Sequence, residues 1–447
     1  MKWVPFLMLF ISLNLFSQEG FQLTENKKTV IPFRLINNLI FIPIFVNGVE
    51  LTFLLDSGVS ETLLFSLDDK QVDFNHVEKM KFSGLGGSVE IEGLKAVKNH
   101  ISIGKNFTDS SHTIFIILNE DFNFSSHVGI PVNGIIGYHF FRNHPVKIDY
   151  VSHKITVLTE KNLSREKKNY AKEPITIELN KPYIIVDVKQ YNEQKTSKML
   201  LDLGNSDAVW LFPSLIPGFE YNRPNIEDYL GRGFNGDIYG KRSRIRNLYL
   251  SDFKIQKPLV AMPDEHSIQH LNLVPGRKGS IGSETLRRFT IIFDYPNREF
   301  YLKKNSNFNE PFHFNMSGID VKHDGMSWHQ DLVKVQNETK NSSFATANEN
   351  RQVYTAEGEF KYKFVLKPEY SVAGIRKGSP AENAGIRKGD KIMLINEKKT
   401  GDLTLEKINN LLKSEEGKIV TFEIMRGGQP MKFTFTLEDP IPYQENL

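Results

Sequence analysis

The sequence predicts a mostly β protein: two duplicated β-barrel halves, followed by a smaller α+β domain. Three observations carry that expectation. A set of short blocks recurs in the same order at a nearly constant offset. Within each copy the apolar runs are strand-like, with almost no helical periodicity. After Tyr301 the pattern changes to one that mixes strands with an amphipathic helix.

The repeat comes first, because self-similarity governs every later assignment. Leu51 to Ser60 aligns with Ser197 to Ser206 when Asp56 is placed on Asp202, an offset of 146 residues. Gly134-Ile135-Ile136-Gly137 then aligns with Gly279-Ser280-Ile281-Gly282, and Val146 to Tyr150 with Ile291 to Tyr295, both at an offset of 145. In the first copy Leu39 to Val46 and Val49 to Leu55 are apolar, β-rich runs joined by Asn47-Gly48. Asn-Gly between such runs predicts a tight hairpin, because both residues accept positive φ. The second copy has runs at Tyr183 to Lys189 and Lys198 to Leu201. Short helices are expected near Tyr138 to Arg142 and Glu284 to Arg288, each after a glycine. The expected boundaries are 22–165 for the first lobe, 172–304 for the second and 311–440 for the C-terminal domain.

Composition narrows the function. Hydrophobic residues make up 40% and charged residues 24% of the chain, which suits folded domains with their own cores. A net charge of +3 over 447 residues gives no electrostatic footprint for nucleic acid. The basic run Lys241 to Arg246 alternates like one polar strand face and is read as solvated. With no cysteine, disulfides, thiolate metal sites and cysteine nucleophiles are excluded. Met1-Lys2 followed by the apolar run Trp3 to Phe16 is too short to span a bilayer but fits a secretory signal peptide over 1–18. A periplasmic or secreted protein is expected, with no integral membrane segment after cleavage.

The chemistry rests on Asp56-Ser57-Gly58 and Asp202-Leu203-Gly204. A carboxylate emerging from a run of leucines is costly unless it is hydrogen-bonded or functional. Here it occurs twice. Two carboxyls held close together share a proton, one pKa falling and the other rising. The ionised member can deprotonate a water while the protonated member hydrogen-bonds a substrate carbonyl. No metal or covalent intermediate is needed, and neither His-Glu-x-x-His nor Gly-x-Ser-x-Gly offers a rival. His139 and His144 are read as surface or supporting residues.

These residues resemble the retropepsin-like aspartyl peptidases (clan AA type), in a single-chain form with both lobes fused. The resemblance covers about residues 30 to 304. It implies an acid-protease fold in which Asp56 and Asp202 are catalytic and no cofactor or metal is required. Ser57, Gly58, Ser60, Leu203, Gly204 and Ser206 would build the active-site loops. It also implies glycine-rich flaps over the cleft, carried by Gly84, Gly86 and Gly87 in lobe one and by Gly231 and Gly233 in lobe two. The family's hydroxyl after each catalytic aspartate braces the two loops. Ser57 supplies it, but Leu203 does not, so a weakened or non-catalytic peptide-binding protein is the alternative to an active endopeptidase.

The C-terminal third carries a second resemblance. Tyr370 to Asn396, with Gly378-Ser379-Pro380-Ala381, Ala384-Gly385 and Gly389-Asp390, resembles the core of a PDZ domain. Such a domain implies β-augmentation by an extended or C-terminal peptide. Ser317, Gly318 and Ile319 are the candidate carboxylate-binding loop. Leu405 and Ile408 lie on the apolar face of the groove helix. A polar insertion is expected at about 323–360. The partners implied are protein or peptide substrates and a peptide ligand for this domain.

Overall fold

A computed structural model describes residues 20–444, apart from 84–89, 119–124, 191–192, 218, 220–223, 234–235, 270–272 and 335–359. The expected signal peptide and the lobe-one flap tip fall outside the described residues. The protein is mostly β and divides into two compact units. The first holds both repeats. The second comprises Ser125–Ile130 and His313–Pro440.

In the first unit each repeat builds its own large sheet, and a third sheet is shared. The Asn47-Gly48 turn forms as the sequence requires. Asn47 has φ +47° and Gly48 φ +88°, so Val46 pairs directly with Val49 across a two-residue loop. Burial alternates along Val49–Leu55, with Leu51 and Phe53 facing the core; Leu54 and Leu55 are both buried as the strand approaches Asp56.

The duplication survives in three dimensions as register. Gly134–Ile136 runs parallel to Val49–Leu55, pairing Gly134 with Phe53 and Ile136 with Leu55. Arg277–Gly282 runs parallel to Glu193–Asp202, pairing Leu200 with Ser280 and Asp202 with Gly282. Both glycine pairs are dictated by close approach. A Cβ on Gly137 would lie 1.9 Å from the Val59 carbonyl oxygen, and one on Gly282 would lie 2.2 Å from that of Asp207. Gly134 and Gly279 are equally confined, against the carbonyls of Leu63 and Trp210.

The shared six-stranded sheet ties the lobes together. Val146–Asp149 of the first repeat pairs antiparallel with Phe289–Asp294 of the second, so equivalent strands meet across a pseudo-twofold axis. Its residues Ile148, Ile291 and Phe293 are fully buried in one core cluster that includes side chains of both lobes.

Two sequence expectations need correction. The Lys241 to Arg246 run is not a simply solvated face. Arg242 is largely buried and donates to Asp207 and Asp228, each at 2.7 Å, while Arg244 donates to the carbonyls of Ile441 and Phe312. Strand alternation alone does not reveal that the outward side has carboxylates waiting on it. The insertion at 323–360 is also narrower than expected. Ile319–Lys334 and Phe360–Ile375 are both strands, paired out to Lys334 with Phe360, so only 335–359 remains outside the description. Met326 and Trp328 alternate on this arm and stand opposite Pro368 and Leu366, a β pattern embedded in a polar composition.

The second unit forms around its own core, in which Ile319, Val372, Ile392, Leu405, Ile408 and Phe422 are buried. Ser379 caps the helix Pro380–Ala384 by accepting the Glu382 N–H, and Gly385 ends it at φ +103°. Thr404 caps Leu405–Leu412 in the same way through Lys407. The Gly389-Asp390 motif has a clear structural role. Asp390 is buried and receives two 2.7 Å bonds from the Arg426 guanidinium plus the Arg387 N–H. Burial opposes its ionisation, but these donors outweigh it and hold the carboxyl below its usual range.

Candidate active site

Asp56 follows the strand Val49–Leu55, and its N–H is held by the Ile136 carbonyl at 2.9 Å. Asp202 ends the strand Glu193–Asp202. The two loops interlock through their glycines. A Cβ on Gly58 would lie 2.9 Å from Asp202 Oδ1 and 3.1 Å from Asp56 Oδ1. A Cβ on Gly204 would lie 2.1 Å from Asp56 Oδ2. Each glycine therefore clears the space in which the carboxylates meet. The Gly58 N–H donates to Asp56 Oδ1 at 2.7 Å.

Ser57 braces this arrangement. Its buried hydroxyl donates to the Leu201 carbonyl at 2.7 Å and accepts the Leu203 N–H at 3.0 Å. The reciprocal bond is missing because Leu203 is fully buried in the apolar core. Its carbonyl instead accepts the Ser283 hydroxyl at 2.9 Å. Ser60 and Ser206 lie further out. Ser60 donates to the Leu179 carbonyl at 2.9 Å, and the Ser206 carbonyl accepts from Asn38 at 3.0 Å.

Electrostatics separate the pair from ordinary surface aspartates. Burial is the largest effect on both. For Asp56 burial, followed by the neighbouring Asp202 charge, outweighs the Gly58 N–H and Lys181 and pushes the carboxyl up to about 7. Asp202 is also raised by burial, against the opposing pull of Arg277 and Lys181. Such a pair holds a proton far above the usual carboxylate range.

Several contributors were not apparent from the motifs. Tyr295, the repeat equivalent of Tyr150, is buried, and burial followed by the Asp56 charge raises its phenol well above the usual value. Thr62, a few residues beyond the loop, meets His112 Nε2 at 2.7 Å, and His112 Nδ1 meets Asp109 at 2.7 Å. This buried chain anchors the strand that leaves the lobe-one loop. His139 stands beside Glu61 at 3.4 Å. Lys181 and Arg277 approach the pair from lobe two; only strand register could have signalled them.

Of the flap residues, Gly84, Gly86 and Gly87 lie outside the described residues. The strands that lead to them, Val77–Ser83 and Glu90–Ile103, pair as a hairpin. Gly231 and Gly233 belong to the lobe-two hairpin Ile226–Gly233 and Gly236–Arg244. Gly231 sits at a register shift with φ +141°, a conformation that favours glycine. Arg242 joins this hairpin's base to the Asp202 side of the site through its paired bonds to Asp228 and Asp207.

In the second unit Ser317, Ile319, Leu405 and Ile408 are buried. The loop amides are already occupied. Asn315 Oδ1 accepts from Ser317 N–H, Ser317 Oγ and Gly318 N–H, and Ser317 Oγ accepts the Ile319 N–H. Among the described residues no group of three or more His, Asp or Glu is placed to hold a metal, and no helix is long and apolar enough to cross a membrane.

An aspartic proteinase from Irpex lacteus is a structural neighbour, with 12% identity over 64% of this chain and 99% of that one, at a TM-score of 0.43. No curated protein matches the sequence. The PDZ domain family matches residues 371–426, and the C-terminal unit of this chain contains a PDZ domain.

Proposed function

We propose that this chain is an exported aspartic endopeptidase of the retropepsin-like type, acting in the periplasm or outside the cell, whose PDZ domain holds substrate or partner peptides. The observation that carries the reading is the interlock of two carboxylate loops, with Gly58 and Gly204 each packed against the other loop's aspartate. Asp56 and Asp202 share one proton. The ionised carboxylate takes a proton from a water held between them, and the protonated one hydrogen-bonds the scissile carbonyl oxygen. The water oxygen bonds to the carbonyl carbon; collapse of the tetrahedral species breaks the C–N bond as the amine gains a proton.

The lobe-two hairpin, with Gly231 at its register shift, supports the reading, since a flap must move to admit a peptide and then exclude water. Leu203 favours the second reading, a peptide-binding protein of the same fold without catalysis. Digestion of a peptide library by the wild-type chain and by Asp56→Asn separates the two. The peptidase reading expects cleavage that the variant loses, and it fails if neither protein cleaves any peptide across pH 4 to 8.

A further inference from the structure

The first unit places two cations beside the carboxylate pair. Lys181 opens the strand Lys181–Gln190, directly after the left-handed residues Leu179 and Asn180. That turn is tethered to the lobe-one loop by the Ser60 hydroxyl, which donates to the Leu179 carbonyl. Tyr183 pairs with Leu200 and Ile184 with Met199. Continued along the strands, this register sets Lys181 against Asp202. Successive residues on paired strands alternate faces, and directly opposed ones share a face.

Arg277 lies on the strand paired to the other side of the Asp202 strand, opposite Lys198, and its side chain runs back along that strand towards the aspartate, on which its charge acts. Its Nη2 donates to Ser280 Oγ at 2.8 Å and its Nε to the Gly279 carbonyl at 3.2 Å, and the guanidinium lies over the Phe212 ring. These contacts are to neutral groups only. The Lys181 ammonium, largely withdrawn from water, has no hydrogen-bond or ion-pair partner among the described residues. Asp56 and Asp202 act on it from a distance, and Arg277 opposes it.

The charge balance is therefore unsatisfied. Glu178, directly opposite Lys181, is taken by Lys198 at 2.7 and 2.8 Å, so the two cations are left near a pair that, sharing one proton, carries a single negative charge. Two cations partly withdrawn from water and close to each other are costly unless an anion offsets them. A ligand that brings its own carboxylate would relieve this. We propose that Lys181 and Arg277 form an anion-accepting subsite, and that the preferred substrates carry a Glu or Asp side chain close to the scissile bond. This rests on the peptidase reading for its chemistry, but not for its binding.

The test uses a pair of peptides that differ only in Glu against Gln beside a cleaved bond found by digestion. Wild type should favour the Glu peptide by roughly tenfold in kcat/KM, within the range of one charge contact at partial burial. Lys181→Met should bring the ratio towards 1, and Lys181→Arg should restore much of it. A ratio near 1 in wild type overturns the proposal. So does a Lys181→Met variant that shifts the pH profile for both peptides alike while keeping the ratio, since the lysine would then only tune the carboxylates. Binding of the same peptides to Asp56→Asn, read by fluorescence anisotropy, keeps the two readings apart. Acid-selective binding without hydrolysis by wild type would remove the peptidase and leave the subsite. Binding with no preference removes the subsite whatever the activity.

Discussion

The Ser57 hydroxyl accepts the Leu203 N–H across 3.0 Å, joining the two aspartate loops through a buried contact. The same oxygen donates to Leu201, so a single side chain satisfies two backbone groups of the opposite loop. Where a symmetric pair would have two such braces, this protein has one.

Ser57→Ala should leave the Leu201 carbonyl and Leu203 N–H buried without partners. The expected cost is about 2–4 kcal/mol of stability, from two lost bonds and two desolvated groups. Urea unfolding of the full chain measures it. A loss below about 0.5 kcal/mol would show that water or a neighbour replaces the hydroxyl.

Gly204→Ala tests the interlock. The new methyl would stand 2.1 Å from Asp56 Oδ2, so either the loop or the carboxylate must move. Displacement of a reacting group by about 1 Å can cost on the order of a hundredfold in rate. The variant should lose at least that much in kcat/KM. Gly428→Ala, with no atom within 4 Å of the added carbon but φ +81°, is a control for backbone strain away from the site.

Stability should depend on pH through Asp56. Its carboxyl moves from 3.8 in the unfolded reference to about 7 in the fold. A raised pKa means that the folded state binds the proton more tightly. Its stabilising contribution is full below pH 3.8 and is lost as pH rises to about 7. Asp56→Asn should accordingly become more stable relative to wild type as pH climbs through that window. Thermal unfolding at pH 4 and pH 8 measures the difference, and a difference of opposite sign would contradict the burial argument.

The PDZ loop makes a separate prediction. Its Ser317, Gly318 and Ile319 amides are occupied by Asn315 and Ser317 side-chain oxygens. A peptide bound by this domain should therefore gain little from a free C-terminal carboxylate. Titration of the full chain with one peptide as its acid and its amide should give dissociation constants within about threefold. A tenfold preference for the acid would mean that the loop opens to receive it.

Much of this was legible in the sequence because repetition and glycine are strong signals. The shared offset fixed which glycines correspond, and the structure explains why: Gly137 and Gly282 stand where a carbonyl of the aspartate loop leaves no room for Cβ. Asn47-Gly48 likewise announced its turn through φ. Long-range partners were not legible. Nothing local marks Lys181 as the neighbour of Asp202, because that proximity comes from strand register. Arg242 looked solvated because its partners, Asp207 and Asp228, lie on other segments. The arm at Ile319–Lys334 was obscured by polar composition, which outweighed a short alternation of Met326 and Trp328.

The central claim is that Asp56 and Asp202 act as one site despite Leu203. The most direct test is peptide hydrolysis by Asp202→Asn beside Asp56→Asn, in full-length protein with folding checked by circular dichroism. Both variants should lose hydrolysis by a similar factor, about a thousandfold or more, since either loss removes the shared proton. Retention of wild-type cleavage by Asp202→Asn would contradict the account.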